Sequence, residues 1–194
     1  MKNRVLQVAA LLTSLAWAST AFASDQLYVN AALFYGTETT KIGDNKSEST
    51  KTFYNAGIGL KMDSGLILGA KYLVLDETAK AGDDDDDTGA KLTGLGATLG
   101  YLHDSGFGLA FTYLFEPEKE ILSDGDTVAT GTGGTGSVID VGYYFDQGDY
   151  AIGPQISVVS ATYKEFEYEE LDVELDDDYE ETFTYPYIAM FFYF

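Results

Sequence analysis

The chain has no cysteine, which leaves it no disulfide and no thiol chemistry. Basic residues are scarce, 11 Lys and Arg against 32 Asp and Glu, for a formal charge of −21. Such acidity repels phosphates and argues against a nucleic-acid partner. Long hydrophobic runs are missing beyond the first residues, so no later segment reaches the ~20 apolar residues of a membrane-spanning helix. Helical patterning is poor as well. Acidity alone would suggest a disordered chain, but a composition 45% hydrophobic and 14% aromatic is too apolar for that class.

The one apolar run lies at the start. Lys2 and Arg4 precede a mostly apolar stretch from Val5 to Trp17, followed by the small-x-small pattern Ala21-Phe22-Ala23. These three parts read as a secretory signal peptide over residues 1–23, cleaved after Ala23. The remaining residues, 24–194, suit one domain. Trp17 is the only tryptophan, so the mature domain would have none.

What recurs through that domain is period two, the spacing that sends alternate side chains to opposite faces of a sheet. Phe107, Leu109, Phe111, Tyr113 and Phe115 share one parity, and Gly108, Ala110, Thr112 and Leu114 the other. Ile139, Val141, Tyr143 and Phe145 alternate with Asp140, Gly142, Tyr144 and Asp146. Ile152, Pro154, Ile156 and Val158 alternate with Gly153, Gln155, Ser157 and Val159. Segments near 54–62, 66–75 and 94–102 repeat the pattern, with Gly57, Gly59, Lys61, Gly69, Lys71, Gly94, Gly96 and Gly100 on the second face.

Asp63-Ser64-Gly65, Asp104-Ser105-Gly106 and Asp146-Gln147-Gly148-Asp149 read as tight reversals, where Asp and Gly meet the conformational demand. Between them lie polar connections near 37–50, 76–91, 116–137 and 164–181, expected as long loops. In 164–181, interleaved apolar residues suggest that the last two strands extend as a hairpin. The layout predicts an all-β fold: a closed, antiparallel, eight-stranded up-and-down transmembrane β-barrel, with short turns on one rim and long connections on the other. Closure removes the two edges of an open sheet.

The apolar parity is expected to face lipid. A soluble barrel would carry charge on its outer face, whereas here the second parity holds the glycines and scattered charges. Tyr101, Phe107, Phe145, Tyr150 and Phe194 lie near the short turns, and Tyr35, Tyr54, Tyr72, Tyr113 and Phe115 toward the long connections, as two interfacial girdles would. The C-terminal run Tyr187-Ile188-Ala189-Met190-Phe191-Phe192-Tyr193-Phe194 resembles the insertion signal that ends bacterial outer-membrane barrels, with Tyr187, Phe192 and Phe194 as its signal positions. The hairpin layout is similar to that of the small eight-stranded group: the OmpA transmembrane domain, OmpX and OmpW-like proteins. That resemblance implies a location in the cell outer membrane, with outer-membrane lipid, lipopolysaccharide and the barrel-assembly machinery as partners.

With Phe194 outward, Tyr187, Phe191 and Tyr193 turn inward, and so do Tyr28 and Phe34 if the first strand follows suit. Large rings against glycines fill a narrow barrel. Lys61, Lys71, Glu116, Asp140 and Asp146 fall on the same inward parity, and buried charges need partners, so Lys–carboxylate pairs are expected inside. Pro154 and Pro186 would each remove a ladder donor.

Other motifs are weaker. His103-Asp104-Ser105 resembles the His-x-Ser element of outer-membrane lipid A deacylases, but Ser64 holds the matching place in the sister turn without a histidine, and no third residue is evident to orient the base. Asp83, Asp85 and Asp87 alternate as in an EF-hand, but Thr88 and Gly94 stand where that loop requires Gly and Glu. Loose binding of divalent cations there is the remaining reading. The segment Glu165–Glu181 is dense in carboxylates and suits cations or basic partners. The glycine-rich segment 127–137 lacks the Lys-Ser/Thr of a phosphate-binding loop. The expectation is a non-enzymatic protein without a cofactor, with a structural or surface-interaction role through acidic extracellular segments. The alternative is a narrow, OmpW-like path for small apolar solutes. A soluble lipocalin-type barrel would need an early Gly-x-Trp, which is absent.

Overall fold

A computed structural model describes residues 26–42, 45–81, 87–168 and 171–194; for 39–47, 81 and 171–177 it supports no statement about side chains. The proposed signal peptide lies outside the described residues. The described residues form ten strands: β1 (Gln26–Ile42), β2 (Asn45–Lys61), β3 (Leu66–Ala81), β4 (Asp87–Leu102), β5 (Phe107–Ser123), β6 (Asp126–Thr132), β7 (Thr135–Tyr143), β8 (Phe145–Asp146), β9 (Tyr150–Tyr168) and β10 (Leu171–Tyr193). All pairings are antiparallel. β1 to β5 pair in sequence, β5 pairs with β6 and β7, both of these pair with β9, β9 pairs with β10, and β10 returns to β1. β6, β7 and β8 share one place, so the sheet closes into a ring of eight hydrogen-bonded strands. No backbone edge remains where the ladders are complete.

The tight reversals are where their Asp and Gly residues place them. Met62–Leu66 and His103–Phe107 close identically: the Gly65 and Gly106 N–H groups donate to Met62 and His103 carbonyls at 2.8 Å, with Gly φ values of 86° and 94°. Positive φ is what glycine supplies at no steric cost. In the third turn, Gly148 N–H donates to Asp146 Oδ1 at 2.8 Å.

The long connections depart from the expectation of loops. Each is taken up by continuation of the flanking strands. β1 and β2 stay in register from Gln26↔Lys61 to Ile42↔Asn45. β3 and β4 do so from Leu66↔Tyr101 to Lys80↔Asp87. β5 runs on to Ser123 and reverses through Asp124 (φ 55°) and Gly125 (φ 84°) into β6. Two successive positive φ values make this a type I′ reversal, the form whose twist matches a hairpin. β9 and β10 continue to Tyr168↔Leu171, as their alternation suggests. Polar residues need not mean loops here, because a hairpin standing in water can be polar on both faces.

Side chains follow the predicted parity closely. Phe107, Leu109, Phe111, Tyr113 and Phe115 are exposed, while Gly108, Thr112 and Leu114 are buried. Ile139, Val141 and Tyr143 are exposed, and Val138, Asp140 and Gly142 are buried. The core therefore lies inside the ring. On β10, Ile188 and Phe192 point out, as does Phe194 just past its end, whereas Tyr185, Tyr187, Ala189 and Phe191 are buried.

Candidate functional site

Glycine makes room for the interior, and aromatic rings occupy it. Gly59 and Gly69 face each other across β2 and β3, and the Tyr28 side chain lies over both. A Cβ on Gly69 would meet Tyr28 Oη at 2.6 Å, and one on Gly59 would meet the Tyr28 ring at 2.8 Å. Tyr28 in turn contacts Phe191 at 5.8 Å between centroids, and Tyr144 meets Phe191 edge-on at 4.9 Å. Nearer the hairpins, Phe53 stacks on Tyr185 at 5.1 Å and touches Tyr187 at 5.4 Å. Phe34 is half-buried and packs against the same cluster.

Within these rings sits a polar centre. Lys71 of β3 pairs with Asp140 of β7, their side chains 5% and 4% exposed. Their strands are separated by β4 and β5, so the pair spans the interior rather than lying along the wall. Asp140 also accepts a hydrogen bond from Ser157, and from Tyr187 Oη at 3.2 Å. Gln155 Nε2 donates to Tyr187 Oη at 2.7 Å, and Tyr144 Oη donates to Gln155 Oε1 at 2.6 Å. Asn55 Nδ2 donates to Tyr187 Oη at 3.2 Å, leaving Asn55 Oδ1 without a partner among the described residues. Such a network offsets part of the desolvation of the two charges, which is the condition for burying them. The cavity beside the pair, lined by Tyr28, Asn30, Lys71, Thr98 and Asp140 among others, measures about 20 Å³. That is room for one water molecule.

A second interior pair lies toward the hairpins. Lys119 meets Glu181, with side chains 12% and 9% exposed. Tyr163 Oη donates to Glu181 Oε1 at 2.7 Å, and the Lys119 ammonium stands 5.0 Å from the Tyr179 ring. Lys119 escapes parity reasoning because the strand changes phase before it. Glu116 adopts φ 47°, a bulge shifts the β4–β5 register between Thr93 and Leu95, and Pro117 is buried.

Two of the charges expected inward are exposed instead: Glu116, which the bulge turns out, and Asp146 at the rim. Lys61 and Asp146 line the mouth at the short-turn rim instead of the centre. With Gln26, His103, Asp104 and Tyr193 they surround an open recess of about 210 Å³. Lys61 there is half-buried, its ammonium 5.3 Å from the Tyr193 ring. Asp146 is exposed. Of the C-terminal signal positions, Tyr187 is an interior hub, and Phe192 and Phe194 are 38% and 75% exposed on the outside.

His103 Nδ1 lies 2.9 Å from Ser105 Oγ and accepts the Ser105 N–H at 3.0 Å. Both bonds are internal to an exposed turn. They tie the imidazole to the reversal, and no carboxylate among the described residues bonds its other nitrogen. Asp83 and Asp85 lie outside the described residues. Asp87 opens β4 and pairs with Lys80 at 2.9 Å. No cluster of metal-ligating side chains occurs among the described residues.

Ten aromatics expected near the strand ends, Tyr35, Tyr54, Tyr72, Tyr101, Phe107, Tyr113, Phe115, Phe145, Tyr150 and Phe194, are all exposed. No family model matches this chain, and no curated protein matches it in sequence.

Proposed function

We propose that the ring is a transmembrane β-barrel of the bacterial outer membrane, whose role is structural and surface-interacting through acidic hairpins. One observation carries the reading: the molecule is apolar outside and polar at its centre. Leu33, Leu68, Leu99, Leu109, Phe111, Ile139, Val141, Ile156 and Ile188 are each at least 38% exposed, while Lys71, Asp140, Gln155 and Ser157 are buried. A water-soluble ring would hide the first group and expose the second. A continuous apolar belt of this extent marks a surface covered by something apolar, and a closed antiparallel ring is one of two designs that lipid accepts. The nine residues from Phe107 to Phe115 match the length of a tilted crossing strand. In this reading the exposed aromatics at each end are interfacial girdles.

The packed interior favours a structural role over a narrow solute path. The Lys71–Asp140 pair, the rings around it and a cavity the size of one water molecule leave no room for an apolar solute. Acidic residues concentrate in β9, β10 and the other hairpins, which would stand outside the cell.

The test is refolding of the chain into phosphatidylcholine vesicles, followed by electrophoresis with and without boiling. A folded membrane barrel migrates differently in the two states and resists proteolysis across the belt. A chain that stays in the aqueous fraction, folded and unshifted, overturns the reading. Ion conductance across a planar bilayer separates a plugged barrel from a channel.

A further inference from the structure

The ring is not equally closed around its circumference. β1 and β2 pair along their whole length, as do β3 and β4. β10 and β1 pair only from Tyr28↔Tyr193 to Leu33↔Ile188, with Leu27 and Phe194 adding one rung below. Above that level β1 runs on to Ile42, paired with β2 alone, and β10 continues toward Leu171, paired with β9 alone. Two strand edges thus face a seam.

Pro186 explains where the ladder stops. Leu27 and Phe194 exchange both backbone bonds, N to O at 3.2 Å and 2.9 Å. In an antiparallel ladder such exchanging pairs recur at every second residue. The series therefore includes Leu33 with Ile188, and its next member would be Tyr35 with Pro186. Proline has no N–H to give there. Beyond it, the groups aimed into the seam belong to Tyr35 and Thr37 on one side, and to Thr184, Thr182 and Glu180 on the other. Inside, the Phe34 and Tyr185 rings still touch across the lower seam at 5.6 Å, so the opening lies in the wall and not in the core. Side chains along the upper seam are polar and acidic: Thr37, Glu38, Asp178, Glu180, Thr182 and Thr184 are exposed. The β10 segment beyond them, residues 171–177, adds four carboxylates and no base.

We propose that this seam is a docking site for an extended, basic peptide, which adds to the free edge of β10 as a further strand. Unpaired backbone donors and acceptors supply the ladder, as in other strand-addition complexes, and the acidic flank selects cationic side chains. Peptide is favoured over lipid because unpaired edges are costly in hydrocarbon and the flanking residues are charged. The inference rests on the proposed orientation, in which the hairpins stand in water.

The test uses the full chain folded in phosphatidylcholine nanodiscs and a fluorescein-labelled nonapeptide of alternating Lys and Val. Binding by fluorescence anisotropy is expected for this peptide, with at least a tenfold loss when every backbone nitrogen is methylated. Equal binding of the methylated peptide would reduce the effect to charge attraction and overturn the proposal. For location, the cysteine-free chain accepts a single label at Thr184→Cys, with Val128→Cys on β6 as the control. A quencher on the peptide should dim the Thr184 label at least threefold more than the Val128 label; equal dimming overturns the site. Nitroxide-bearing lipid distinguishes the other occupant. If it quenches the Thr184 label as strongly as a Leu109→Cys label in the belt, the seam opens to lipid and the peptide reading fails. If it quenches neither, the membrane reading of the belt fails, while the peptide result stands by its own measurement.

Discussion

The ion pairs in the centre of the ring and those on its hairpins differ in how they are made. Lys51–Glu77 at 3.1 Å, Lys80–Asp87 at 2.9 Å and Lys91–Glu120 at 3.6 Å join residues that sit directly opposite on neighbouring strands. All six side chains are at least 31% exposed. Lys71–Asp140 instead joins strands that do not touch, and both side chains are nearly dry. The hairpin pairs follow from the register and decorate a ladder that already exists. The central pair helps determine how opposite walls fit, and its charges depend on each other because both are almost wholly withdrawn from bulk water.

That contrast sets the largest expected effect. Asp140→Asn or Lys71→Met alone leaves one buried charge without its partner, at a cost of about 3–5 kcal/mol. The double variant Lys71→Met with Asp140→Leu should recover most of the loss, since apolar replacements of a buried pair are often neutral. Urea unfolding in lipid vesicles, read through all three variants, measures the coupling. Additive losses would mean that the two charges are not acting as a pair.

The outer belt and the hairpins can be compared by placing one charge on each. Phe111→Arg enters the middle of the apolar belt and should cost about 2–4 kcal/mol if that height is hydrocarbon. Val128→Arg, on the exposed face of β6, should change folding free energy by less than about 0.5 kcal/mol, as surface substitutions usually do. Equal, small effects would remove the distinction between belt and hairpin.

Much of this contrast is visible in the residues themselves. The alternation of Phe107–Phe115 with its glycines and small residues assigns both faces of β5, and the Asp-Ser-Gly turns locate two reversals. Lys71 and Asp140 fall on the inward parity by spacing alone. Parity assigns each residue to a face but cannot say which residues meet across the ring, so the pairing itself emerges only with the fold. It also fails after a bulge. Glu116 takes a left-handed conformation, and the residues of β5 beyond it are displaced in phase, which hides Lys119; its partner Glu181 shares the inward parity of Tyr185 and Tyr187 on β10. Apart from the alternating extension of β9 and β10, the hairpin strands are hidden for another reason: they carry polar residues on both parities, so period two disappears. The Asp124-Gly125 dipeptide, whose two residues both take positive φ, is the sequence signal for the third hairpin. Pro154 and Pro186 are both inside strands, β9 and β10, and Pro186 marks the end of a ladder, a role its sequence neighbours do not disclose.

A third comparison sets large rings against small residues. Gly69→Val puts a branched side chain where Tyr28 Oη and the Ile58 carbonyl would be 2.6 Å and 2.4 Å from its Cβ. Overpacking of that kind costs about 1–3 kcal/mol. Tyr28→Phe, which removes only the hydroxyl, should relieve part of the strain in the double variant. The same unfolding assay reads it, and an unperturbed Gly69→Val would show that the Tyr28 ring is free to move aside.

The smallest effect belongs to the hairpin pairs, and it completes the comparison with the centre. Lys51 stands opposite Glu77, and Ser49 Oγ donates to the same Glu77 Oε1 at 3.1 Å. The carboxylate therefore keeps a partner when Lys51 is lost. With both charged side chains about one-third exposed, water screens the attraction, and exposed pairs of this kind contribute about 0.2–1 kcal/mol. Lys51→Ala should accordingly shift the unfolding midpoint slightly at low salt and not at all at 1 M salt, where the screening length falls to about 3 Å. The Lys71–Asp140 variants should keep their full loss at both salt concentrations, because ions cannot enter between the walls. If the central variants lost their effect at high salt as Lys51→Ala does, the interior would have to be open to solution, and the plugged ring would give way to a conducting one.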